Sequence, residues 1–180
     1  KGTPNELCLS KPPNAALPKI SPLLSVITKG YKYDNINDNG FELKTLDGNC
    51  IDAYTTVRFG IKVDPFAKCK WGIDPKETYQ EMPEYIGLNG NHILPVHRAD
   101  LFFISPEAFK NRYNLTEKQI KDIGDMKFYV KCRTADGKIN PDLYIIKTCV
   151  NPGPDRTPPV ITYPPQEKHF VKYDTDKQDL

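Results

Sequence analysis

Apolar and polar residues alternate most regularly between Ile51 and Val63. Ile51, Ala53, Thr55, Val57, Phe59, Ile61 and Val63 take one set of alternate positions, and Asp52, Tyr54, Thr56, Arg58, Gly60 and Lys62 take the other. Successive side chains of an extended chain point to opposite faces, so a period of two predicts a strand with one buried face. Met126–Cys132 follows the same rule: Met126, Phe128, Val130 and Cys132 face one way, Lys127, Tyr129 and Lys131 the other. Leu143–Val150 reads as a third good strand, with Leu24–Tyr33, Phe41–Leu46 and Leu101–Ile104 as weaker ones. Asp136-Gly137 supplies the positive-φ turn chemistry for a hairpin from Met126 to Val150. Such a hairpin would bring Cys132 and Cys149 into one neighbourhood.

Helical signals are short and lie between the strands. Asp74-Pro75-Lys76-Glu77 has a capping side chain, a proline at the first helical position and an acid returning to the cap. Ser105-Pro106-Glu107-Ala108 is a second start. Thr116-Glu117-Lys118-Gln119 is a third, ended by Gly124. The tandem from Ser105 to Gly124 imitates a helix-turn-helix, but Glu117, Lys118, Lys121 and Asp122 mix charges where a DNA reader needs a basic face. The expected fold is therefore mainly β, a sandwich or open barrel with short connecting helices.

Proline changes the picture at both ends. Of 17 prolines, five fall within residues 1–22 and six within fourteen residues after Asn151. Proline fixes φ and lacks an amide donor, so this density favours an extended, polyproline-like path. The expected organisation is an N-terminal arm over 1–22, one β-rich domain over 23–150 and a C-terminal arm over 151–180. Pro12, Pro13, Pro18, Pro158, Pro159, Pro164 and Pro165 are the candidate partner-binding positions. No P-x-x-P motif occurs, which removes an adaptor-ligand reading. A stiff strap that docks along a partner at low entropic cost is what remains.

Composition bounds the function. Hydrophobic residues make up 38% and charged residues 27%, which suits one packed domain. Basic residues number 25 against 23 acidic, a net of +2, which argues against a nucleic-acid-binding domain. No run reaches the roughly 18 apolar residues that a membrane-spanning helix requires. The chain opens on Lys1, as expected where a secretory signal or membrane anchor has been removed. Cys8, Cys50, Cys69, Cys132 and Cys149 are the disulfide candidates. Their wide spacing and the lack of any C-x-x-C pair suit long-range bridges in an oxidising, extracytoplasmic compartment (secreted, virion-surface or organellar). The odd count leaves at least one thiol unpaired or bonded to a partner chain. Asn114-Leu115-Thr116 is a glycosylation sequon, compatible with such a compartment.

Candidate chemistry is sparse. His92 and His97 bracket Ile93–Val96, with Asp100 beyond. In an extended segment a separation of five turns the two imidazoles to opposite faces, and only His169 is left to complete a metal set. Asn35, Asn37, Asn39 and Gly40 imitate an oxygen-rich calcium loop, but Leu46 stands where a bidentate glutamate is needed. The same letters serve ordinary turns that visit the left-handed region. No nucleophile elbow, phosphate loop or dinucleotide fingerprint occurs, and no cofactor is expected. Trp71 and the tyrosines at 31, 33, 54, 79 and 85 form the remaining resource, a partly wet interface in composition. Trp71 itself fits the core better. The expected function is a non-catalytic subunit that binds other proteins, its own copies included, through the proline arms. The alternatives are a secreted glycan- or receptor-binding module using Trp71 and the tyrosines, and a hydrolase or metal enzyme around His92, His97 and Asp100.

Overall fold

The computed structural model describes residues 16–75, 77–87, 91–114 and 116–153. In chain order the elements are β1 (Lys19–Ile27), β2 (Tyr31–Asn37), β3 (Gly40–Thr45), β4 (Ile51–Asp52), β5 (Thr55–Gly72), β6 (Glu84–Tyr85) and β7 (Leu94–Phe103). A short 3₁₀ turn (Pro106–Phe109), α1 (Lys110–Tyr113), α2 (Glu117–Gly124), β8 (Asp125–Thr134) and β9 (Tyr144–Asn151) complete the set. The chain is mostly β, and its sheet curls into a nearly closed barrel.

β5 is the spine. Its odd residues Val57, Phe59, Ile61, Val63, Ala67 and Cys69 are buried, while Arg58, Lys62 and Asp64 on the alternate face are exposed. The strand has two hydrogen-bonding edges. The Arg58 carbonyl accepts from the Thr28 amide (3.0 Å), and the Gly60 amide turns toward β2, so even residues bond toward β1 and β2. Odd residues bond the other way, as the Cys69 carbonyl shows by accepting from the Ile86 amide (2.9 Å). One edge therefore carries β1 and then β8, and the other carries β7 and then β6. From β8 the sheet continues through β9 to β3 and β2.

Tyr33 bridges the gap at which the barrel nearly closes. Residues between Pro22 and Ile27 bulge out of the β1–β5 ladder. Into that gap the Tyr33 hydroxyl reaches from β2, donating to the Val26 carbonyl (2.6 Å) and accepting from the Gly60 amide (2.9 Å). One phenol thus satisfies main-chain groups on two strands that the bulge leaves without ladder partners. Inside, Phe41 meets Tyr33, Phe59 and Tyr144 edge-on at centroid distances of 4.9, 6.2 and 6.0 Å.

Two disulfides fasten the sheet: Cys69 to Cys132 across β5 and β8, and Cys50 to Cys149 beside the parallel β4–β9 pair. They place the protein in an oxidising, extracytoplasmic environment.

Several expectations need correction. Cys132 and Cys149 do not share a neighbourhood, because the β8–β9 register sets Cys149 opposite Asp125, far down the hairpin from Cys132. The Ile51–Val63 strand is interrupted at Tyr54, whose φ is +61°, and β5 then runs on to Gly72. The Leu24–Tyr33 strand is two strands separated at Gly30, with φ of +97°. β1 begins within the expected N-terminal arm. Pro22 is tolerated there because it opposes Ile61, an odd residue whose main-chain groups turn away from β1. Asp74 starts a turn and no described helix; the Glu77 carboxylate occupies the space over Gly72 instead of returning to the cap. The Thr116 capping box on α2 is present in full.

Candidate functional site

β7 pairs only with β5 among the described strands. Because odd β5 residues bond toward it, Ala99, Leu101 and Phe103 of β7 bond back, and the Phe103 carbonyl also accepts from Tyr54 (2.6 Å). The main-chain groups of Arg98, Asp100 and Phe102 turn to the opposite edge. Gly87, at φ +83°, lies against the Arg98 carbonyl so closely that a Cβ there would collide with it. Toward its C-terminal end β7 presents Phe102 (57% exposed), followed by Ile104 (47%).

Alongside this edge runs a groove of about 760 Å³, lined by Arg58, Trp71, Glu84, Tyr85, His97 and Asp100 among others. Arg58 and Asp100 stand opposite each other on the outer face of β5 and β7. Their pair is bidentate: Nε to Oδ1 at 2.7 Å and Nη2 to Oδ2 at 2.9 Å. The guanidinium holds the Asp100 carboxyl below the usual carboxylate range. Both groups are exposed, so the pair adds little stability.

His97 lies on the inner face. A carbonyl only accepts, so Nε2–H donates to Ala67 O (2.9 Å), filling a place left where the β5–β7 register shifts between Lys62 and Ala67. Nδ1 is buried with no hydrogen-bond partner among the described residues. Burial pushes the imidazole pKa down, against the raising effect of the carbonyls of Ala67, Ile86 and Leu94. His97 is therefore neutral at pH 7.

The trio His92, His97 and Asp100 does not converge. His92 is exposed before the strand, and His97 and Asp100 point to opposite faces of β7. Among the described residues no three histidine, cysteine, aspartate or glutamate side chains gather around a common point. Asn35, Asn37 and Asn39 form local turns: Asn37 Nδ2 donates to Asn35 O (3.0 Å), and Asn37 Oδ1 accepts from the Asn39 amide (2.9 Å). Gly40, which follows, allows a contact with Ile145 that any Cβ would block.

Trp71 is half-buried and stacked on Phe128, with centroids 5.2 Å apart, so one ring face already belongs to the core. Tyr31 and Tyr33 pack against the same core, Tyr54 sits half-buried in the turn before β5, and Tyr79 is buried outside the barrel. Tyr85 borders the groove. Asn114 is exposed just before α2. Pro18 is buried, and residues 16–20 line a second groove, of about 550 Å³, with Asn140–Tyr144. Cys8, Pro12, Pro13, Pro158, Pro159, Pro164, Pro165 and His169 lie outside the described residues. No described helix is long and apolar enough to cross a membrane.

The chain matches no known family model, no curated protein and no solved structure.

The groove and the β7 edge that has no strand partner among the described residues are what sequence reasoning missed. Leu101–Ile104 was legible as a strand, but its place at the rim follows only from the register.

Proposed function

We propose that this chain is a non-catalytic interaction subunit of an extracytoplasmic protein assembly, and that an extended segment of another subunit adds along the outer edge of β7. One observation carries the reading: a ten-residue strand is laddered on a single edge among the described residues, and exposed Phe102 and Ile104 stand beside its free end. Unpaired strand edges invite a further strand, and folded monomers ordinarily blunt them. Strand addition draws affinity from main-chain hydrogen bonds and specificity from alternate side chains. The outer face of β7 offers Phe102 as an apolar contact and the Arg58–Asp100 pair as a polar one. The proline-dense ends outside the barrel strands, 1–15 and 154–180, act as additional tethers.

The test uses Phe102→Pro in the full chain. Proline at this position removes an amide that the β5 ladder does not use. In the native assembly, isolated without denaturant, the variant should lose its partner subunit while its urea midpoint stays close to that of the parent. A wild-type chain that occurs only as a monomer in its own compartment would refute the reading.

A second reading rests on its own observation, that Trp71, Tyr85, Glu84 and Asp100 border one open groove. Aromatic and polar side chains in that arrangement suit a sugar ring. It requires a tryptophan fluorescence change on titration with a glycan, and silence across a broad glycan panel would retire it.

A further inference from the structure

The register of β5 and β8 sets like charges directly against each other. Lys68 opposes Arg133 and Lys70 opposes Lys131. All four lie on the outer face, since their neighbours Ala67, Cys69, Val130 and Cys132 fill the core. Like charges opposed across strands destabilise a sheet. Elsewhere the molecule offsets the same problem. Lys32 opposes Lys44, but Asp34 lies 3.6 Å from Lys32 and Glu42 lies 3.1 Å from Lys44. Lys127 opposes Lys147 beside a groove that also holds Glu42, Asp122 and Asp125.

The quartet of 68, 70, 131 and 133 has no carboxylate ion pair among the described residues. Lys70 Nζ donates to the Met82 carbonyl (3.0 Å) and sits over the Tyr85 ring at 5.1 Å, and the Arg133 guanidinium lies 4.8 Å from the centroid of Tyr79. Among the described residues Lys68 reaches the amide oxygen of Asn91 (3.4 Å). Of the nearby acids, Glu81 accepts from the Thr78 amide, Asp136 accepts from the Thr134 hydroxyl, exposed Glu84 stands opposite Trp71, and the Glu77 carboxylate lies over Gly72, none of them in an ion pair with the quartet among the described residues. In a chain whose net charge is only +2, this cluster is a local excess that folding alone does not call for.

We infer that the outer face of β5 and β8 is a docking surface for a sulfated polysaccharide. A repeating anion relieves the repulsion between the two rows of cations and turns a destabilising arrangement into a favourable one. The oxidising setting given by the disulfides is where such polymers occur outside cells. The aromatic side chains favour sulfate over nucleic acid. Tyr79 is buried, and Lys70 and Arg133 already sit over the rings of Tyr79 and Tyr85, which leaves this face little aromatic surface for stacking successive bases. This surface lies away from the outer edge of β7 and does not depend on it.

The probe is heparin, with an unsulfated polysaccharide and a DNA duplex of matched charge as the other arms. The full chain should bind heparin at low salt, and log Kd should rise with log salt concentration. The Lys68→Gln/Lys131→Gln variant should lower that slope by about two, one for each cation removed, and weaken binding at least about tenfold at low salt. Its Tm should stay level or rise, because repulsion has been removed; a merely structural role predicts a fall. No heparin binding at low salt, unchanged binding by the variant, or a lowered Tm would overturn the inference. Duplex DNA binding as tightly as heparin would overturn the assignment to sulfated polysaccharide.

Discussion

Cys69 and Cys132 face each other across the β5–β8 ladder, covalently joined on the inner face, while every residue flanking them on the outer face is a cation. The bridge thus fastens the two strands at the place where Lys68, Lys70, Lys131 and Arg133 push them apart. The same side-chain alternation that buries the sulfurs turns the charges to the outer face, where all four are half-buried.

Removing that bridge should be costly, and the cost should depend on salt. Closing a 63-residue separation constrains the unfolded chain by about 4 kcal/mol. Cys69→Ala/Cys132→Ala should lose about that amount in urea unfolding, and less at about 1 M salt, where the Debye length falls to about 3 Å. Cys50→Ala/Cys149→Ala should lose a similar amount without the salt dependence, since the Cys50–Cys149 bridge is not flanked by opposed cations. Equal salt behaviour in the two variants would count against the strain relationship.

Tyr33→Phe tests barrel closure. It strips the partner from the Gly60 amide and the Val26 carbonyl, so the expected loss is about 1–3 kcal/mol. Tyr144 supplies the control, because its hydroxyl is buried without a partner among the described residues and burial raises its pKa. Tyr144→Phe should be neutral or stabilising. Denaturant titrations of both variants give the comparison.

His97 makes stability depend on pH in a definite direction. Its folded pKa lies below the ordinary imidazole value of about 6.5, so below that value the unfolded chain binds more protons than the folded one. The contribution of His97 is complete above about pH 7 and is lost as the pH falls through 6.5 toward the depressed folded value. Unfolding free energies measured from pH 8 to pH 5 should fall in that window, and His97→Gln should flatten the fall. An NMR titration placing the His97 pKa above 6.5 would reverse the sign.

Much of the fold was legible because burial in a sheet imposes a period of two. The alternation at Val57–Val63 and Met126–Cys132 is the observed inside–outside pattern, except at Gly60, which is buried on the outer face. The capping residues around Thr116 gave α2, since a cap is a local hydrogen-bond demand. What depends on register was not legible. The partners of Cys50 and Cys69 lie 99 and 63 residues away, and no local rule reports which strands meet. The same gap hid the opposed cations, although Lys68, Lys70, Lys131 and Arg133 were visible in each strand separately. Glu77 misled because its carboxylate has a tertiary alternative over Gly72, a space that exists only through the absence of a side chain there.

The most direct measurement of the central proposal is residue-resolved amide hydrogen exchange on the isolated chain and on its native complex. In the isolated chain the amides of Asp100 and Phe102 should exchange quickly, while those of Ala99 and Leu101, bonded to β5, stay protected. In the complex Asp100 and Phe102 should become protected as well. Fast exchange at both positions in the free and the assembled protein would contradict strand addition along β7.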